Sequence, residues 1–160
     1  MDKSFTYIIS SQDRTNTTLP ANGSGLYYDI DFGGFSEKNQ NYYCEVLSFT
    51  INARVNTQPS LIGYLMFMAE NLNDDGFFMV KKISNRDCLI SIMPLAAVFD
   101  AMHRHTGENG ISFKIKNCQS RRPIRFKWLR PEFTEVISGT DINVGAETKW
   151  VLVLKMTPIE

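Results

Sequence analysis

The residues of this chain best equipped for chemistry are its cations. Between positions 111 and 130 the sequence carries Lys114, Lys116, Arg121, Arg122, Arg125, Lys127 and Arg130, and no acidic residue. In an extended segment successive side chains point to opposite faces, so Arg125 and Lys127 share one side and Phe126 and Trp128 the other. Cations that neutralise phosphates, interleaved with rings that stack on bases, are the ingredients of single-strand nucleic-acid binding. Here the alternation sends rings and charges in opposite directions. A solvated strand face, or a contact of Arg121, Arg122, Arg125 and Lys127 with an acidic neighbouring protein, is therefore the better reading, and nucleic acid the weaker one.

The other reactive side chains form no constellation. His103 and His105 stand two apart in a stretch with helical apolar spacing. That separation does not put them on one helix face, and no cysteine or carboxylate cluster nearby completes a metal site. They read as polar residues near a helix C-terminus, where the dipole favours them. Asp29 and Asp31 share a strand face, and Asp74-Asp75-Gly76 reads as a turn. Paired carboxylates can cleave glycosides or hold calcium. Asp74 and Asp75 lack the remaining ligands of a calcium loop, and Asp29 and Asp31 lack an identifiable partner. The three cysteines, Cys44, Cys88 and Cys118, are widely spaced with no CxxC pair, and read as buried reduced thiols. No GxSxG, HExxH, P-loop or GxGxxG occurs. The expectation is a protein that is not an enzyme and uses no cofactor or metal.

The elements that must position these residues are strands. Leu26, Tyr28, Ile30 and Phe32 alternate with Asp29 and Asp31. Tyr43, Leu47, Phe49 and Ile51 share a face by strict alternation, with Glu45 interrupting it. Ile111, Phe113 and Ile115 alternate with Ser112, Lys114 and Lys116; Ile124, Phe126 and Trp128 alternate with Arg125 and Lys127. Trp150, Leu152, Leu154 and Met156 close the series. Period-two alternation puts one face on a core and the other toward solvent or a partner. Residues 61–69 and 88–93 are apolar on both faces, which makes those strands either central or covered by a second subunit. Residues 5–9 and 77–83 complete the set.

Turns punctuate these runs at Asn22-Gly23-Ser24-Gly25, Gly33-Gly34, Asn73 to Gly76, Gly107 to Gly110 and Ser138 to Asp141. Eight or nine short strands separated in this way predict a sandwich or barrel, and the missing βαβ rhythm disfavours a doubly wound nucleotide fold. One segment departs from the pattern. Leu95, Val98, Phe99 and Met102 recur at helical spacing between Pro94 and Gly107, which predicts one short helix near 94–104.

A length of 160 residues suits a single domain over 1–160, large enough for a core without disulfide or metal staples. The formal net charge of zero argues against a surface coated in charge for DNA or acidic membranes, and limits repulsion between copies. The N-terminus has no charged head followed by an apolar run, and no run reaches the length of a membrane span, so secretion and membrane insertion are not expected. The formal glycosylation sequons at Asn16 and Asn22 read as polar turns, and a reducing place of synthesis fits the cysteines.

Three stretches carry a family resemblance: the strand and turn Tyr7-Ile8-Ile9-Ser10-Ser11-Gln12-Asp13-Arg14-Thr15-Asn16; the aromatic strand at 26–32 followed by Tyr42-Tyr43-Cys44-Glu45-Val46-Leu47-Ser48-Phe49-Thr50-Ile51-Asn52; and the closing Trp150-Val151-Leu152-Val153-Leu154. In these the chain resembles the single jelly-roll minor capsid or vertex (penton) proteins of large icosahedral double-stranded DNA viruses. The resemblance implies a jelly-roll β-sandwich of about eight antiparallel strands in two sheets. It also implies a structural role in the virion, with other capsid proteins and copies of the same chain as partners, after synthesis in the host cytoplasm. No catalytic residue comes with it. The rival reading is a cellular β-sandwich module for carbohydrate or peptide, using solvent-facing aromatics such as Tyr27, Tyr64 or Trp150.

Overall fold

Alternating sequence becomes strand throughout the part of the chain that the structure describes. A computed structural model describes residues 3–15, 27–32, 40–54, 63–70, 72, 87–94, 102–107, 112–116, 123–131 and 149–159. Among these, the strands are β1 (Phe5–Ser10), β2 (Tyr27–Ile30), β3 (Asn41–Arg54), β4 (Tyr64–Ala69), β5 (Cys88–Pro94), β6 (Met102–Gly107), β7 (Ser112–Ile115), β8 (Ile124–Leu129) and β9 (Lys149–Ile159). The strand expected at 77–83 lies outside the described residues.

Every pairing among the described residues is antiparallel. One sheet, A, runs β1-β9-β3-β6 with β7 also on β3; the other, B, runs β2-β8-β4-β5. Strand β9 takes one edge of β3 from Asn41 to Asn52. On the opposite edge β7 pairs with residues 42–45 and β6 with residues 49–54, so β6 and β7 are successive halves of one strand position. With those halves counted together, β1 pairs with β9, β2 with β8, β3 with β6 and β7, and β4 with β5. These are nested pairs of one long antiparallel ribbon, wrapped so that β9 meets β3 and β8 meets β4. That wrapping is the jelly-roll order, and the all-β sandwich expected from the alternation is the fold.

The helix expected near 94–104 is corrected at both ends. Pro94 ends β5, and Met102, His103 and Arg104 open β6; residues 95–101 lie outside the described set. Helical spacing loses here because β3 is 14 residues long and its edge from Phe49 to Arg54 is paired by the backbone of β6. A row of donors and acceptors on a central strand is satisfied by another strand and not by a helix.

A second correction concerns which side chains of β3 face inward. Tyr42, Cys44, Val46, Phe49 and Ile51 are buried, so the inward set changes parity between Val46 and Phe49. The register shifts between Val46 and Ser48, leaving Leu47 without an opposite residue on β9. The extra residue of a β-bulge resets the alternation. Glu45 therefore never interrupts an apolar face; it belongs to the outer one.

Between the sheets lies an aromatic core. Phe67 is the hub, its ring 4.6 Å from Phe49, 4.7 Å from Trp128, 4.9 Å from Trp150 and 5.5 Å from Phe126. Offset and tilted rings at these separations add to the area they bury. The Ser-Gln-Asp turn forms one 3-10 turn, Ser11–Asp13. The Ser10 amide donates to Asp13 Oδ2 at 2.7 Å, and the Gln12 amide to Ser10 Oγ at 3.2 Å, a capping box. From there the Thr15 amide donates to the Asp29 carbonyl at 2.7 Å, carrying the chain from sheet A to sheet B.

Candidate functional site

The cations singled out in the sequence divide. Arg121 and Arg122 lie outside the described residues, whereas Arg125 and Lys127 stand on the outer face of β8 with Phe126 and Trp128 buried behind them. Both cations are engaged within the chain. Arg125 Nε donates to Asp29 Oδ1 at 2.8 Å and Nη2 to Oδ2 at 3.1 Å, across the β2–β8 pair. Its guanidinium lies 4.2 Å over the Tyr27 ring. The hydrogen bond to Asp29 holds the Arg125 pKa above its ordinary value. A two-pronged pair with a ring beneath it fixes the guanidinium in place.

Lys127 is half-buried between two carboxylates, 3.0 Å from Glu70 Oε1 and 3.4 Å from Asp87 Oδ2. Burial alone would lower its pKa, but the hydrogen bond to Glu70 and the charge of Asp87 reverse this, and the net shift is upward. The outer face of β8 is thus a zipper of cross-strand ion pairs. With Phe126 and Trp128 in the core, β8 offers no ring for a base to stack on.

Of the doubly apolar strands, β4 has two interiors, whereas β5 leaves Ile92 exposed at 45%. On the inward side Leu65, Phe67, Ala69, Cys88, Ile90 and Met93 join the main core. On the outer side Met66, Met68 and Leu129 form a second cluster with Leu89 packed against it. Met66 and Met68 are buried within the single chain, so no second subunit is needed to account for them.

The remaining candidates carry no chemistry that the structure assembles. His103 and His105 sit opposite Ala53 and Ile51 in the β3–β6 register. Among the described residues no group of three or more His, Cys, Asp or Glu could hold a metal ion, and no helix is long and apolar enough to cross a membrane. Asp74, Asp75 and Cys118 lie outside the described set. Cys44 is buried with Sγ 3.2 Å from Met156 Sδ. Burial, with the neighbouring Asp87 charge, pushes the Cys88 thiol up to about 12, far from a reactive thiolate. Of the aromatics that a carbohydrate platform would use, Trp150 is buried, Tyr27 lies under Arg125, and Tyr64 is exposed.

What sequence reasoning missed is on sheet A. Its outer face carries Ile8 at 63% exposure, Leu47 at 41% and Val151 at 40%. Ile8 is opposite Val153, and Val153 is opposite Ser48 beside the bulged Leu47, so these side chains form a band across β1, β9 and β3. Lys155 and Glu45 border it, opposite each other with Nζ 4.0 Å from Oε2. The signal was present in Val151 and Val153, apolar on what alternation makes the outer side of β9. Leu47 was hidden by the unrecognised bulge.

No protein-family model matches the chain, and no curated protein does. Among solved structures it is similar to a chain of "Structure of infectious bursal disease virus Gx strain", at 10% identity and a TM-score of 0.26, covering 99% of this chain and 42% of that one.

Proposed function

We propose that this chain is a structural component of a virion, a jelly-roll capsid subunit that works by protein–protein assembly and not by catalysis. The observation that carries the reading is the exposed apolar band of Ile8, Leu47 and Val151 on the outer face of a jelly-roll sheet. An exposed apolar band bordered by charged residues has the make-up of a protein contact. Net charge of zero leaves little repulsion to oppose packing against neighbours. The position we assign is a vertex (penton) or minor capsid site, with other capsid proteins and copies of itself as partners. Arg121 and Arg122 are the cations proposed to meet an acidic partner, since Arg125 and Lys127 already have carboxylates within the chain.

Quantitative mass spectrometry of purified particles tests this, together with a variant carrying Ile8→Asp and Leu47→Asp. The expected result is a fixed copy number of the native chain in particles, resistant to nuclease. The variant should fold but be depleted from particles at least tenfold. Absence of the native chain from particles overturns the reading.

A further inference from the structure

The outer face of sheet A is arranged in rows by the strand register. One row is Thr6, Lys155, Glu45 and Ser112; the next is Ile8, Val153 and Ser48 with Leu47 beside it; the third is Ser10, Val151 and Thr50. The two charges of the first row stand on adjacent strands, Lys155 on β9 and Glu45 on β3. Both are well exposed, at 49% and 42%.

We propose that this face pairs with the same face of a second copy of the chain, about a two-fold axis running parallel to the strands between β9 and β3. This deepens the assembly reading of that face, and rests on it, by naming the partner. Rotation about such an axis keeps each row in place and exchanges the two columns, so β9 of one copy lies over β3 of the other. Lys155 and Glu45, exposed and 4.0 Å apart within each chain, then each also face the opposite charge of the mate, so the two intrachain pairs join into one cluster of four alternating charges. In the next row Val153 of each copy lies over the mate's Ser48, with the bulged Leu47 beside it, so the valines and leucines of both copies border one another across the axis. A two-fold contact needs a surface complementary to itself, and opposite charges placed symmetrically about the axis supply that. Two sheets packed face to face with nearly aligned strands, roughly 10 Å apart, are an established geometry.

Area sets the strength. Three exposed aliphatic side chains and their polar surround fall short of the roughly 800 Å² per partner of a stable standard interface. The pair is therefore weak and forms at high concentration or within a larger assembly.

Light scattering of the full chain at low salt, from micromolar to millimolar concentration, is the test, with Lys155→Glu and Glu45→Lys made separately. The native mass should climb toward twice the chain mass. Each variant alone places like charges across the axis and should stay monomeric. An equimolar mixture of the two should associate again, because each supplies the charge the other lacks; repair inside one chain cannot produce that result. Circular dichroism checks that both variants fold, and Leu47→Asp, at an exposed position on β3 beside the axis, is a second probe expected to abolish association. A native chain that stays monomeric throughout overturns the pairing, as does association indifferent to these changes or a mixture that fails to associate. If the chain remains monomeric yet enters particles, this pairing is overturned and the assembly reading survives.

Discussion

Arg125 grips Asp29 with two hydrogen bonds across the β2–β8 pair, at 2.8 and 3.1 Å, while its guanidinium covers the Tyr27 ring. A cation that the sequence left open to phosphate or to an acidic protein is thereby committed to its own chain. Exposed ion pairs contribute little, and this one gains from its two-pronged geometry and the ring beneath it. A double-mutant cycle of Arg125→Ala and Asp29→Ala, read by urea denaturation, should give a coupling of about 0.5–1 kcal/mol. Zero coupling would show that the pair is an ornament of the surface.

The hub of the core should be intolerant of truncation. Phe67 is fully buried and has four aromatic rings within 5.5 Å. Phe67→Ala removes a ring that both sheets share, and a loss of about 3–5 kcal/mol is expected in chemical denaturation. A loss below about 1 kcal/mol would mean that the sheets close over the gap.

The bulge at Leu47 makes a prediction about deletions. Removing Leu47 alone restores plain alternation, with Val46 and Phe49 still inward, so the chain should fold with a lowered melting temperature. Removing both Leu47 and Ser48 turns Phe49 and Ile51 outward and should abolish folding. Thermal melts followed by circular dichroism distinguish the two, and equal effects would refute the parity argument.

Alkali should destabilise the fold. Burial raises Cys88 from 9.0 to about 12 and Tyr28 from 10.0 to about 12, and the carboxylates around Lys127 raise it above 10.5. In each case the folded chain holds its proton where the unfolded chain has released it. Stability is thus fully present below about pH 9 and is lost as pH climbs toward 12. Melting temperature should fall steadily over that window, and alkylation of Cys88 at pH 8 should require unfolding. A flat profile from pH 9 to 11 would contradict the burial of these groups.

Much of this was legible in the chain itself. Period-two alternation located β2, β7, β8 and β9 and the inward set of β9, because a residue's neighbours two positions away already define its face. It also places Phe126 and Trp128 opposite Arg125 and Lys127, which by itself weakens the nucleic-acid reading. The double apolarity of β4 announced two buried faces, while β5 buries one face and leaves Ile92 exposed.

What remained for the tertiary structure depended on contacts between residues far apart in sequence. Residues 102–104 look helical by spacing, and only the open edge of β3 makes them strand. The parity change at Leu47 leaves no mark in composition, since it exists only in register with β9. The partners of Arg125 and Lys127 are set by which strands lie side by side, Asp29 being 96 residues from Arg125 and Glu70 57 residues from Lys127. Local pattern decided that the alternating segments are strands and which way most of them face; pairing across the sheets decided β6, the parity of β3 and who meets whom, because hydrogen-bond register is a property of two strands and never of one.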